Sequence, residues 1–95
     1  MQTIRISKCE EVLINQFIRS GKSIGSNIRE AFYAHSKADF ASKLQIALKE
    51  CYETAYWIEL LIDGGYYDNK EIQEKCIEIK KILIASIKTA KENMK

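Results

Sequence analysis

The stretch Ser20-Gly21-Lys22-Ser23-Ile24-Gly25-Ser26, SGKSIGS, decides how this chain folds. Five of its seven residues are glycine or serine, a composition typical of a loop. Yet Leu13, Phe17, Gly21, Ile24, Ile28 and Ala31 pass through it in steps of four, four, three, four and three, the spacing of one helical face. A linker has no reason to hold that phase. A mid-helix glycine costs about 1 kcal/mol relative to alanine, so packing has to compensate. The stretch therefore reads as helix, over about 9–34, with Gly21 and Gly25 forming a groove that admits a neighbouring helix backbone. A phosphate-cradling loop needs GxxxxGK[ST] between a strand and a helix. Position 16 is Gln, where that motif needs Gly, and no strand leads in.

Two further helices follow. Ser36-Lys37-Ala38-Asp39 fits a helix start, with Ser36 as N-cap and an acid three residues on. Phe40, Leu44, Ala47, Cys51, Ala55, Ile58 and Ile62 then mark one face of a helix over 37–63, which Tyr52, Tyr56 and Trp57 widen towards more than one packing partner. Asp63-Gly64-Gly65-Tyr66-Tyr67-Asp68-Asn69 is the strongest break: Gly64 suits the left-handed position that ends a helix, and Asp68 or Asn69 the next cap. Ile72, Cys76, Ile79, Leu83, Ile87, Ala90 and Met94 give a third helix over 69–94. No proline interrupts any of the three.

The 95 residues make a single domain, 1–95, with 46% hydrophobic and 29% charged residues, an ordinary globular balance. No apolar run is long enough to span a membrane, and MQTIRISKCEE lacks a signal peptide's apolar middle, so the expected location is the cytoplasm. Cys9, Cys51 and Cys76 form no CxxC pair and read as small buried hydrophobes. Neither metal nor cofactor is expected: the one histidine, His35, lies between helices, and the Glu-x-x-His pairs of di-iron bundles are absent. Glu30, Glu50 and Glu53 would support an active site only if they shared a polar pocket, and no Ser-His-Asp or Cys-His arrangement is available. The chain reads as a non-enzyme.

The run from Gln16 to Ala31, QFIRSGKSIGSNIREA, resembles the signature of bacterial four-helix-bundle proteins related to 23S-rRNA intervening-sequence proteins. Ser36-Lys37-Ala38-Asp39-Phe40, Leu44 to Glu50, Glu53 to Leu61 and Ile87 to Asn93 extend the resemblance in order over about 10–94. It implies an all-α, antiparallel up-and-down bundle that assembles into rings, often pentamers, without enzymatic activity. A related branch comprises the accessory variability determinants of retroelements, in which a basic ring binds nucleic acid and a reverse transcriptase. RNA, DNA and a protein partner are thus implied. Members also carry an amphipathic helix before the segment that begins near Glu10. Only MQTIRISKC precedes it here, so either the chain is a short natural form or the start lies upstream. Three helices would leave a groove for another chain to cover.

Net charge is +2, short of the balance that announces a nucleic-acid binder by itself. Arg19, Lys22 and Arg29 share a side of the first helix, and Lys80, Lys81 and Lys88 stand in the lysine-rich third. These six are the candidate phosphate contacts; a solvated face laced with ion pairs is the plain alternative. Asn27 and Glu30 lie near the inward stripe and are expected in a buried polar network that fixes helix register. Two functions stay open: an oligomeric nucleic-acid-associated bundle, or a scaffold for protein contacts alone. Convergence of the basic residues on one surface would favour the first.

Overall fold

The computed structural model describes residues 8–66 and 70–93. They form three helices, α1 (Lys8–Phe32), α2 (Lys37–Asp63) and α3 (Lys70–Glu92), with no strand among the described residues. SGKSIGS lies inside α1. The expected order and type of elements hold throughout.

The helix ends follow local chemistry. Ser36 is extended (φ −150°), and its side chain accepts from the Asp39 N–H at 3.0 Å, capping α2 as the sequence suggested. At the other end of α2 the left-handed residue is Gly65 (φ 77°), whereas Gly64 has φ −78°. Gly65 N–H donates to Ile62 O at 3.0 Å and Tyr66 N–H to Leu61 O at 3.0 Å, a Schellman closure one residue later than expected. Gly64 serves a different purpose. A Cβ there would come within 2.7 Å of the Tyr66 ring, which folds back over the cap. Asp68, Asn69 and Met94 lie outside the described residues.

Cross-helix pairs establish an antiparallel path. Glu30 meets Lys43 and Arg19 meets Glu53 between α1 and α2; Cys51 meets Cys76 and Lys37 meets Asn93 between α2 and α3. The helix α2 is central. Both neighbours pack on it, while no Cα of α1 comes within 8 Å of one in α3. The core is correspondingly a strip along α2, in which Ala47, Cys51 and Ile58 are at most 1% exposed. Ile24 and Ala31 of α1 and Cys76, Leu83 and Ile87 of α3 close over it, with Phe17, Ile28, Phe40 and Ile72 half-buried at its margin. Cys51 and Cys76 are buried as expected, but Cys9 is exposed on the first turn of α1.

Candidate functional site

The six candidate basic residues do not converge within the chain. Arg19 is held by acids: its Nη2 lies 3.2 Å from Glu53 Oε1 and 4.0 Å from Glu50 Oε1, and its Nε donates to Gln16 Oε1 at 3.2 Å. Lys22 and Arg29 are exposed on the solvent side of α1. Lys80 sits over the Tyr52 ring, 5.7 Å from its centre, at the α2–α3 seam. Lys81 and Lys88 are exposed on α3. Between the two groups runs α2, with three basic and five acidic side chains. One row on α3 is nonetheless cationic. Lys70, Lys81, Lys88 and Lys91 lie along one side at helical spacing with Glu74, Ile77 and Ile84, and none of these lysines pairs with an acid among the described residues.

The polar network also differs from expectation. Asn27 is half-buried and bonds within its own helix, Nδ2 to Ser23 O at 2.9 Å. Glu30 is exposed, paired with Lys43 Nζ at 3.1 Å and accepting from Ser26 Oγ at 3.4 Å. It stands 11 residues from Arg19, so about 16 Å of helix separates it from the Glu50–Glu53 pair, and the three acids share no pocket. The buried polar contact joins Ser20 and Thr54 instead. Thr54 Oγ1 donates to Ser20 Oγ at 2.9 Å, and both residues are at most 4% exposed. The signal for this contact in the sequence is Thr54 itself, which lies one turn before Ile58 on the inward side of α2. Among the described residues no group of three or more His, Cys, Asp or Glu is placed to hold a metal ion. No helix among them is long and apolar enough to cross a membrane.

The glycines of SGKSIGS face away from the packed helices. A Cβ at Gly21 or Gly25 would meet nothing within 4 Å, so neither α2 nor α3 occupies the groove. The reason is a second seam on α1, rotated away from α2. Ile14, Ile18, Gly21, Gly25, Ile28 and Phe32 follow steps of four, three, four, three and four, the heptad spacing of a helix–helix seam. Ile18 is 45% and Phe32 78% exposed. Opposite, on α3, Ile72, Lys75, Ile79, Ile82, Ser86, Thr89 and Asn93 make a row of the same period, with Ile82 58% exposed. The rows border a trough over α2 that deepens at each end. One end is a cleft of about 790 Å³ against Phe32, Phe40, Ala85 and Thr89; the other, of about 220 Å³, lies against Ile14, Phe17, Ile58 and Ile72.

This chain of helices has a known counterpart. The profile of the family described as 23S rRNA-intervening sequence protein matches residues 3–85. The chain belongs to that family. A crystal structure of a protein of unknown function from the S23 ribosomal protein family of Bacteroides thetaiotaomicron VPI-5482 is similar at 52% identity and a TM-score of 0.79. The similarity covers 81% of this chain and 74% of that one. No curated protein matches the sequence. The fold is thus shared over most of the chain with a solved relative.

Proposed function

We propose that this protein is a non-enzymatic assembly module of the cytoplasm, which self-associates by seating a helix of a second copy in the trough between α1 and α3. The observation that carries the reading is the partly uncovered heptad seam on α1, in which Ile18 and Phe32 are exposed and the glycines at the centre meet nothing. An apolar row of that length is costly in water, and its period is that of a partner helix. Charges of both signs flank the trough, Lys22 and Arg29 beside the α1 row and Lys75 and Glu78 along the α3 row, so that pairing of two copies is sensitive to charge. Light scattering over a concentration series tests this. The expected result is a mass above the 11.0 kDa chain that falls to the single chain in Ile18→Asp. A single-chain mass at every concentration would sink the proposal.

A second reading, contact with RNA or DNA, rests on the unpaired lysine row of α3. Each phosphate it neutralises adds about 0.9 to the salt slope on duplex DNA. Replacing Lys81, Lys88 and Lys91 by Ala is expected to flatten that slope by about 3. Replacing Arg19, which is already paired with acids, should change it little. Absence of binding at low salt by a well-folded assembly leaves the protein-scaffold reading alone.

A further inference from the structure

Cys51 of α2 and Cys76 of α3 face each other in the core with their sulfurs 3.7 Å apart. Each is also close to the other's backbone: Cys51 Sγ lies 3.4 Å from Cys76 O, and Cys76 Sγ 3.6 Å from Cys51 O. Such reciprocal approach requires the two helices to be nearly in backbone contact here. A disulfide needs sulfurs about 2.0 Å apart on Cα atoms roughly 4.4–6.8 Å apart. The sulfurs are thus about 1.7 Å short of bonding distance. Both thiols are buried, with Cys51 1% and Cys76 7% exposed. The third cysteine, Cys9, is exposed on α1 and lies outside this pair.

We propose that Cys51 and Cys76 are a disulfide-forming pair, a covalent modification site that joins α2 to α3 when the protein meets a two-electron oxidant such as hydrogen peroxide or a small-molecule disulfide. With peroxide, one sulfur attacks as thiolate. The O–O bond breaks, water leaves, and a sulfenic acid remains. The second sulfur attacks that sulfenic sulfur, the S–S bond forms, and the hydroxyl departs as water with the second thiol's proton. Each sulfur is oxidised by one electron and the peroxide is reduced by two. With a small disulfide, the same two sulfurs act in turn through a mixed disulfide and release two small thiols.

The site is slow by construction. Burial, and then the neighbouring Cys51, push the Cys76 thiol up to about 12, so thiolate is scarce while the helices stay together. Oxidation therefore proceeds through opening of α3 away from α2. Once formed, the link closes the segment between the two helices and restricts the unfolded chain. The inference is independent of the assembly proposed above.

The test uses the full chain with Cys9→Ser, which removes the exposed thiol. The protein is equilibrated with oxidised glutathione at pH 8, with and without a mild urea concentration that opens α3, and is then alkylated and weighed. The expected product has lost the mass of two hydrogen atoms and takes up no alkylating reagent. A non-reduced digest should join the peptides of Cys51 and Cys76. Its Tm should rise by roughly 5–15 °C and return on reduction. Thiols that remain alkylatable in both arms, a glutathione adduct as the end product, or a linked form that melts below the reduced one would each overturn the proposal. Cys51→Ala, verified as helical, should form no link; an equal loss of two hydrogens in that variant would also overturn it.

Discussion

Ser20 sits where α1 and α2 cross, at 0% exposure, its hydroxyl accepting from Thr54 while it reaches back to Gln16 O at 3.0 Å and Phe17 O at 3.2 Å. A side chain this small lets the helices approach, and its hydroxyl satisfies the polar atom that the approach buries. Ser20→Leu is expected to destabilise by about 1–3 kcal/mol through overpacking, read as a lower urea midpoint with little change in m. Thr54→Val should cost about 1 kcal/mol, and less in a Ser20→Ala background, because the acceptor it leaves unpaired is then gone. Cys76 contributes a pH dependence of its own under reducing conditions. Its folded pKa of about 12 lies above the ordinary thiol value of 9.0, so the unfolded chain releases this proton first as pH rises. This contribution should be constant below about pH 9 and fall above it, by up to about 1.4 kcal/mol per pH unit. Cys76→Ala should lose that component of the slope between pH 9 and 11, whereas an identical slope in the variant would assign it to other groups.

The helix α1 carries two seams, and they were unequally legible. Periodicity through SGKSIGS was enough to make it a helix, because Leu13, Ile24 and Ala31 keep phase on the α2 side. The role of the glycines was harder to read, since Gly21 fits the inward stripe almost as well as the centre of the outward one. Only the position of α3, away from α1, separates the two. Ser36 and its partner Asp39 were readable because a cap is local; Gly64 and Gly65 were not, since adjacent glycines offer the same freedom and Tyr66 decides between them. The lysines were legible as a cluster, but their neighbours belong to another helix: nothing in the spacing of Arg19 foretells Glu53. The glycines also separate folding from association. In dilute solution Gly25→Ala should raise chain stability by up to about 1 kcal/mol, because a Cβ meets nothing there and helix propensity improves. Gly25→Leu should leave the helical signal intact and weaken self-association, as measured by sedimentation. Unchanged association would place the contact elsewhere on the chain.

At the scale of the whole molecule, the chain is a hairpin with a third helix laid against one side. Between α1 and α2, Ser20–Thr54, Arg19–Glu53 and Glu30–Lys43 add to apolar packing. Between α2 and α3 no ion pair forms among the described residues, and the ties are the buried cysteines, Lys80 over Tyr52, and Lys37 Nζ donating to Asn93 O at 3.3 Å. Amide exchange in α3 is expected to be faster than in the middle of α1 and α2, through an opening smaller than global unfolding. Equal protection across the three helices would show one cooperative unit. The missing approach between α1 and α3 also bears on how the protein is made. Every packing partner is the next helix along, so α1 and α2 can pair as soon as residue 63 has left the ribosome. At about 5–20 residues per second, the 29 residues from 64 to 92 put the completed α3 roughly 1–6 s behind. A helical hairpin forms far faster than that. For those seconds the nascent chain shows Leu44, Leu48, Ala55 and Ile62 bare along α2, the interval in which a chaperone would find it.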